Sequence, residues 1–170
     1  MTDLIPLASQ DADAVEALLD RAFGADRQAR TAYKVRGAAA AIAALSFAAV
    51  ENGVLVGSIQ CWPVALVDDA GAERPLVMLG PVAVEPSRQQ GGIGRRLVER
   101  ALAAAAETGL DGAMMLIGDP EYYRRFFGFC ADATGGWRLP GPVERRRLLA
   151  RGAGVPAVPG MLGPRSMVAA

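Results

Sequence analysis

The stretch Glu85-Pro86-Ser87-Arg88-Gln89-Gln90-Gly91-Gly92-Ile93-Gly94 lies between an apolar run and an amphipathic run, and it decides the interpretation of this 170-residue chain. The run before it predicts a buried strand, and the run after it predicts a helix. Glycines without a Cβ let backbone N–H groups approach an anion, and a helix N-terminus adds about half a positive charge. The stretch is therefore typical of an anion-binding turn. The alternative is a plain strand-to-helix turn followed by two solvated arginines.

The helix after the glycines is predicted from about Ile93 to Thr108, where Gly109 stops it. Arg95 and Arg96 fall in its first turn, where cations oppose the helix macrodipole at a cost of about 0.3–1 kcal/mol each. A bound polyphosphate would reverse that cost. The predicted inner stripe of the helix consists of Ile93, Leu97, Val98, Ala101, Leu102 and Ala105.

Two common nucleotide-binding motifs do not match this stretch. A P-loop requires a Gly-Lys pair, and the chain has none, so a nucleoside triphosphatase is not expected. The dinucleotide pattern GxGxxG fails because Leu97 stands where the last glycine belongs, after Gly92 and Gly94. A dinucleotide-binding fold remains a minor alternative.

The composition excludes several kinds of catalytic and binding site. The chain has no His, which excludes Ser-His-Asp and Cys-His catalysis and every His-containing metal site. Cys61 and Cys130 form no CxxC pair, so we expect reduced, buried thiols and no bound metal. Eighteen basic residues balance 18 acidic ones, and a net charge of zero gives no reason to expect a nucleic-acid partner.

Length and hydropathy predict a single domain that does not contact a membrane. The domain is expected over residues 1–170, with its core in 1–134 and a Gly/Pro-rich C-terminal segment at 135–170. The first residues lack a basic segment followed by an apolar one, and no uncharged apolar stretch of about 18 residues occurs. We therefore expect a cytoplasmic protein.

The remaining patterns predict helices, an antiparallel meander and a strand–helix–strand unit, an order that favours an α/β sheet of mixed direction. The predicted helices are Gln10–Phe23 with Ser9 as N-cap, Arg27–Val35, and Glu121–Phe126 after Asp119-Pro120. The predicted strands are Leu4–Leu7, Phe47–Val50, Val54–Val67 after an Asn52-Gly53 turn, Leu76–Val84 and Ala113–Ile117. Because proline cannot donate to a ladder, Leu76–Val84 should part from a neighbouring strand at Gly80-Pro81.

The glycine stretch resembles motif A of the GNAT superfamily of N-acetyltransferases, written [RQ]-x-x-G-x-[GA]. Gln89, Gly92 and Gly94 fill its three fixed places. Residues 79–86 look like the family's strand before that motif, which splays from the next strand to admit the pantetheine arm of coenzyme A. Residues 119–129 look like the family's aromatic helix and the Gly-Phe strand entry that follows it. Three matches in the right order are far more specific than one.

The resemblance implies a GNAT-type, mostly antiparallel sheet that is flanked by helices and splayed before the glycine loop. It implies acetyl-CoA as cosubstrate and direct transfer of the acetyl group, in a ternary complex, to an amine of a small molecule or a protein. A non-catalytic acyl-CoA-binding module is the alternative, and the edge strands leave a homodimer open. The implied cofactor-binding residues are Val82, Ala83, Val84, Gln89, Gln90, Gly91, Gly92, Ile93, Gly94 and Arg95.

The resemblance also implies catalytic roles. A backbone N–H near Val84 would polarise the thioester carbonyl, and the hydroxyl of Tyr123 would protonate the leaving thiolate. Tyr123 lies six residues before Phe129 where the family commonly has five, so Tyr122 is a possible substitute. The general base and the acceptor stay unassigned, although Glu85 and Glu121 lie near the matched motifs.

Overall fold

The structure is a computed structural model that describes residues 1–166; residues 167–170, the end of the C-terminal segment, lie outside the described residues. The chain divides into two compact units, and each is described by itself. The first unit consists of Met1–Gln28, Ala41–Cys61 and Leu79–Gly109. The second consists of Ala29–Ala40, Trp62–Met78 and the chain from Leu110 onward.

The regular elements of the described residues are α-helices and β-strands joined by short 3-10 turns. The helices are α1 (Ala12–Phe23), α2 (Thr31–Arg36), α3 (Ile93–Glu107) and α4 (Pro120–Phe127). The strands are β1 (Asp3–Pro6), β2 (Phe47–Glu51), β3 (Val54–Asp68), β4 (Glu73–Val84), β5 (Met114–Ile117), β6 (Trp137–Arg138), β7 (Leu148–Arg151) and β8 (Gly160–Pro164). The long strands β3 and β4 each contribute residues to both units.

The strands form a mixed, mostly antiparallel sheet, which confirms the predicted fold class. The registered pairs β1–β2, β2–β3, β3–β8 and β5–β7 are antiparallel, whereas β4–β5 and β6–β8 are parallel. Asn52 and Gly53 turn β2 into β3 with φ values of 50° and 77°, as a tight hairpin turn requires. The registered β4–β5 ladder ends at Met78, two residues before Gly80-Pro81, which agrees with the predicted interruption.

In the first unit, α1 and α3 cover opposite faces of the strands. Helix α1 packs through Leu18 and Leu19 into a cluster that contains Ala48 of β2. Side chains alternate between the faces of a strand, and Gly57 of β3 lies on the other face, beneath α3. A Cβ at Gly57 would lie 3.0 Å from Ile93 Cγ2, so glycine allows the first turn of α3 to approach the strand.

In the second unit, the Gly/Pro-rich segment after residue 134 forms strands, which the sequence did not predict. Strand β7 pairs with β5, and β8 pairs with both β3 and β6. Trp137 at the start of β6 is fully buried, and its Nε1 donates a hydrogen bond to the carbonyl of Pro156 at 3.0 Å. Helix α2 packs against β8, and the hydroxyl of Thr31 donates to the carbonyl of Pro142 at 2.6 Å.

Some predicted boundaries are wrong for identifiable reasons. Ser9 does not cap α1, because its hydroxyl donates to the carbonyl of Pro6 and the helix begins after Asp11. The helix predicted at Arg27–Val35 is split into a 3-10 turn and α2. On α3, Ala104 is buried, whereas Leu102, predicted on the inner stripe, is only half-buried. Within residues 1–166, no helix is long and apolar enough to cross a membrane.

The two thiols differ in their surroundings, which allows a test of the core. Cys61 is fully buried, and burial raises the pKa of its thiol to about 12, whereas Cys130 is half-buried. Since the thiolate is the reactive form, we expect the disulfide reagent DTNB at about pH 8 to modify one thiol in the folded protein and the second only after unfolding. Absorbance of the released product measures both phases.

Matched variants assign the two phases of this reaction. Cys130→Ala should lose the phase seen in the folded protein, and Cys61→Ala should keep it. Two rapidly reacting thiols in the folded wild-type protein would contradict the observed packing around Cys61.

Candidate functional site

The glycine segment joins β4 to α3 in the first unit through a 3-10 turn and a left-handed residue. The turn is closed by the N–H of Arg88, which donates to the carbonyl of Glu85 at 2.8 Å. Gly92 is the N-cap of α3 with a φ of 76°, a conformation that a side chain disfavours. The N–H of Arg96 donates to the carbonyl of Gly92 at 3.1 Å and begins the helical ladder. The N–H groups of residues 92–95 therefore belong to the open N-terminal end of the helix.

The end of β4 forms a wall beside that helix end. The position of a Cβ at Gly94 would lie 3.5 Å from Val84 Cγ2 and 3.8 Å from Val82 Cγ1. Both valines are half-buried, whereas Ala83 between them is fully buried and faces the α1 cluster. Gly91 and Gly92 are exposed, and a Cβ at Gly92 would meet no atom within 4 Å. The segment is therefore a shallow, accessible cradle with one apolar side.

The arginines around the cradle form ion pairs with carboxylates of the same unit. Arg95 Nε lies 3.0 Å from Glu99 Oε1, one helical turn further along α3. Arg88 forms an ion pair with Glu51, and its Nη2 lies 2.7 Å from Glu51 Oε2. Glu99 therefore offsets part of the electrostatic cost expected of Arg95 in the first helical turn, whereas Arg96 donates to the carbonyl of Thr2 at 3.1 Å.

Glu85 at the start of the segment is also paired. Arg21 of α1 reaches both of its carboxylate oxygens: Nη2 lies 2.8 Å from Oε2, and Nε lies 3.1 Å from Oε2 and 3.2 Å from Oε1. The same hydrogen bond raises the pKa of the Arg21 guanidinium above its ordinary value. Glu85 is therefore engaged in an ion pair with α1.

The aromatic helix α4 lies in the second unit, and its start follows the predicted signals. Pro120 occupies the first helical position, and a carboxylate oxygen of Asp119 accepts the N–H of Glu121 at 3.0 Å. Gly128 ends the helix with a φ of 73°. Glu121 points outward and forms an exposed ion pair with Arg146.

The ring of Tyr123 lies over the end of β5. A Cβ at Gly118 would approach Tyr123 Cε2 to 2.6 Å, so only glycine leaves room for the ring there. Burial, followed by the nearby Tyr122 and Asp119, raises the pKa of Tyr123 to about 12, although Arg147 acts in the opposite direction. The phenol therefore stays protonated at neutral pH, as a proton or hydrogen-bond donor must.

Tyr122 has a different environment from Tyr123. Its ring packs at an angle against the rings of Phe126 and Phe127, with centroid distances of 5.3 Å and 5.7 Å. It meets the ring of Tyr123 edge-on, with a centroid distance of 5.1 Å. Tyr122 thus belongs to the aromatic cluster of α4, whereas Tyr123 also contacts the strand end at Gly118.

The structure places the ten implied cofactor-binding residues, from Val82 to Arg95, in the first unit and Tyr123 in the second. It also draws attention to two residues that sequence analysis did not select. Ser58 and Gln60 stand two apart in the apolar strand β3, and within residues 1–166 neither Ser58 Oγ nor Gln60 Oε1 has a hydrogen-bond partner. The alternating polar residues in an apolar run were the signal available in the sequence.

Comparison with known proteins shows similarity to N-acetyltransferases. The chain is 31% identical over 116 residues to the uncharacterized N-acetyltransferase YhbS of Escherichia coli K12; this match spans 68% of the chain but 66% of that relative, slightly less than two thirds. The crystal structure of the GNAT family N-acetyltransferase YhbS from Escherichia coli in complex with CoA superposes with a TM-score of 0.71 and 26% identity, covering 97% of this chain and 89% of that one.

A second solved structure and a family model agree with this relationship. A GNAT family acetyltransferase from Brucella melitensis, in complex with acetyl-CoA, superposes with a TM-score of 0.59 and 30% identity, covering 91% of this chain and 97% of that one. The model of the acetyltransferase (GNAT) family matches residues 12–129, which include both the glycine segment and α4. As its sequence pattern predicts, the chain belongs to the acetyltransferase (GNAT) family.

Proposed function

We propose that the protein transfers the acetyl group of acetyl-CoA directly to an amine within a ternary complex. The observation that carries this proposal is the open N-terminal end of α3, where Gly91 and Gly92 are exposed and Gly92 is left-handed. Family membership and the CoA and acetyl-CoA complexes of the two similar proteins support it. The amine belongs to a small molecule or to a protein.

The cradle fits a pyrophosphate. Gly91, Gly92 and Gly94 carry no side chain over the backbone, so the N–H groups of residues 92–95 can face an anion, whereas the N–H of Gly91 already donates to the carbonyl of Arg88 at 3.3 Å. Because Arg95 and Arg88 already have carboxylate partners, backbone donors contribute more of the binding than free cations do. Val82 and Val84 then offer an apolar wall to the pantetheine arm.

The carbonyl of the thioester would be polarised at the end of β4. The registered β4–β5 ladder ends at Met78, and residues 79–84 continue the strand beyond it. In the proposal, a backbone N–H near Val84 donates to the carbonyl oxygen as it gains negative charge. A donor of this kind typically contributes about 10²–10³ in rate.

The proposed reaction is a nucleophilic substitution at the carbonyl carbon of the thioester. The lone pair of the neutral amine attacks the carbonyl carbon, the C–S bond breaks, and the sulfur leaves with the electron pair. Tyr123 donates a hydrogen bond to the leaving sulfur, and the released thiolate takes its proton from solvent. The proton lost by the amine passes to water, because Glu85 and Glu121 are both held in ion pairs.

The function is tested by following release of the CoA thiol from acetyl-CoA while a panel of primary amines is supplied. We expect release that depends on both the protein and an amine, with formation of the acetylated amine seen by mass spectrometry. Binding of acetyl-CoA without its consumption by any amine would instead identify a non-catalytic acyl-CoA-binding module. Absence of acetyl-CoA binding in titration calorimetry would contradict both.

Substitutions in the glycine segment test the pyrophosphate cradle. Gly92→Val places a branched side chain at a left-handed residue beside the open helix end, and it should weaken acetyl-CoA binding by at least about tenfold. Calorimetry measures the affinity, and urea unfolding separates lost binding from lost stability. Gly109→Val is the matched control, because Gly109 has a φ of 73° and open space at the other end of the same helix.

The Gly109→Val control separates a loss of stability from a loss of acetyl-CoA binding. Gly109→Val should lose stability without losing acetyl-CoA affinity. If Gly92→Val bound acetyl-CoA as tightly as the wild-type protein, the pyrophosphate would lie elsewhere.

The role of Tyr123 predicts a loss of turnover with little loss of binding. A hydrogen bond to a charged group contributes about 1.5–3 kcal/mol, so Tyr123→Phe should lower kcat about 10- to 100-fold while the Kd for acetyl-CoA stays nearly unchanged. Gly118→Ala keeps the hydroxyl but displaces the ring, and it should lower kcat in the same direction. Tyr122→Phe is the control and should keep wild-type turnover.

The raised pKa of Tyr123 predicts how kcat depends on pH. Because its folded-state pKa is about 12 and the usual value is near 10, its ionisation should not reduce kcat between about pH 8 and 10. Unchanged turnover in Tyr123→Phe would remove the hydroxyl from the mechanism.

A further inference from the structure

A cavity of about 330 Å³ lies in the second unit, between the start of α4 and the chain that follows this helix. One wall is the stripe of α4 that carries Pro120 and Arg124, one helical turn apart. The other wall is formed by residues 129–132. The lining residues include neither Tyr123 nor any of the ten implied cofactor-binding residues. The cavity is therefore separate from the residues to which the proposed acetyl transfer is assigned.

The size and exposure of the cavity suit a small metabolite. Ligand pockets of proteins typically enclose about 300–1,000 Å³, so this cavity is at the low end of the range and is too small for a coenzyme. Phe129 and Leu149 at its base are fully buried, whereas Pro120 and Cys130 are half-buried. The other lining residues are exposed, and these are Glu121, Arg124, Ala131, Asp132 and Arg146. A small molecule can therefore enter from solvent.

The charged side chains that line the cavity are two cations and two anions. Arg146 and Glu121 form an ion pair with each other. Within residues 1–166, the side chains of Arg124 and Asp132 have neither an ion pair nor a hydrogen bond. The same cavity thus contains one closed ion pair and, in addition, one cation and one anion that stay available to a ligand.

We propose that this cavity binds a free α-amino acid with a small aliphatic side chain, an inference that goes beyond the proposed acetyl transfer. The guanidinium of Arg124 can donate two parallel hydrogen bonds to the carboxylate of the amino acid. The carboxylate of Asp132 accepts hydrogen bonds from the ammonium group. The aliphatic side chain contacts Pro120 and Ala131. Each charged group that lines the cavity then has a partner of opposite sign.

Other small ligands match these charges less well. A simple carboxylate would leave Asp132 without a partner, and a simple amine would leave Arg124 without one. A nucleotide or another polyphosphate would meet the carboxylates of Glu121 and Asp132, and it would need a larger volume. The zwitterion is the ligand class that uses both available charges.

The first test measures affinity by titration calorimetry in the absence of acetyl-CoA. The probes are L-leucine, isocaproate, which lacks the ammonium group, and isoamylamine, which lacks the carboxylate. Since each analogue loses one charge-assisted interaction, we expect each to bind about tenfold more weakly than L-leucine. Binding of L-leucine should also raise the Tm, because a ligand of the folded state stabilises it. An analogue that binds as tightly as L-leucine would overturn the proposal.

The second test assigns each end of the ligand to one side chain. Arg124→Gln should weaken the binding of L-leucine and isocaproate about tenfold and leave the binding of isoamylamine unchanged. Asp132→Asn should weaken the binding of L-leucine and isoamylamine and leave that of isocaproate unchanged. Both substitutions are at exposed positions, and urea unfolding should show wild-type stability.

Matched controls use the same substitutions at exposed residues of the second unit that do not line the cavity. These are Arg125→Gln, next to Arg124 on α4, and Asp111→Asn. Both controls should bind all three probes as the wild-type protein does. A loss of L-leucine binding in the controls equal to that in Arg124→Gln and Asp132→Asn would contradict a site in this cavity.

The outcomes separate this inference from the proposed function. L-leucine also carries an amine, so it could bind as an acceptor for acetyl transfer. Binding of L-leucine that is unchanged in both Arg124→Gln and Asp132→Asn would show that it binds outside the cavity and would overturn the inference, as would the absence of saturable binding up to about 10 mM. A failure to release CoA with any amine would contradict the proposed function and leave the expected affinities unchanged.

Discussion

The approach of α3 to β3 at Gly57 is the contact on which the proposed cradle depends. A Cβ at residue 57 would lie 3.0 Å from Ile93 Cγ2 and 3.1 Å from Leu97 Cδ1, which is closer than ordinary van der Waals contact. Any other residue would therefore push these side chains, and with them the start of the helix, away from the strand. The same turn carries Gly92 and Gly94. Its distance from β4 is therefore fixed by packing on the neighbouring strand β3, within a close-packed layer.

The electrostatics of the cradle follow from that packing. The chain carries 18 acidic and 18 basic residues, and three arginines near the glycine segment are matched locally: Arg21 by Glu85, Arg88 by Glu51 and Arg95 by Glu99. These pairs contribute little stability individually, because ion pairs at a protein surface are screened by solvent. They offset part of the positive charge near the segment, so that in the proposed cradle an anion would depend on the geometry of backbone N–H groups more than on net charge.

Local signals explain what could be predicted from the sequence. The turn at Asn52-Gly53, the start of α4 at Asp119-Pro120 and the stop at Gly109 each depend on residues next to one another, and each lies where predicted. Strands β6, β7 and β8 are short, and no local pattern marked them. Strand β7 pairs with β5, β8 pairs with β3, and β6 pairs with β8, so each depends on a partner that is distant in sequence. Gln60 was visible as a polar residue, but the burial of its Oε1 is a tertiary property.

The pKa of Tyr123 limits what this residue can contribute to the proposed transfer. A thiol has an ordinary pKa near 8.5, whereas burial raises that of Tyr123 to about 12, so moving the proton fully from phenol to thiolate is uphill by about 3.5 units, or roughly 5 kcal/mol. A hydrogen bond from the phenol to the sulfur carries no such cost and stabilises negative charge as the C–S bond breaks. Arg147 lowers the pKa of the phenol, and the value of about 12 already includes that effect. In the proposed mechanism Tyr123 therefore acts first as a hydrogen-bond donor, and solvent, which equilibrates with the released thiol, completes the protonation.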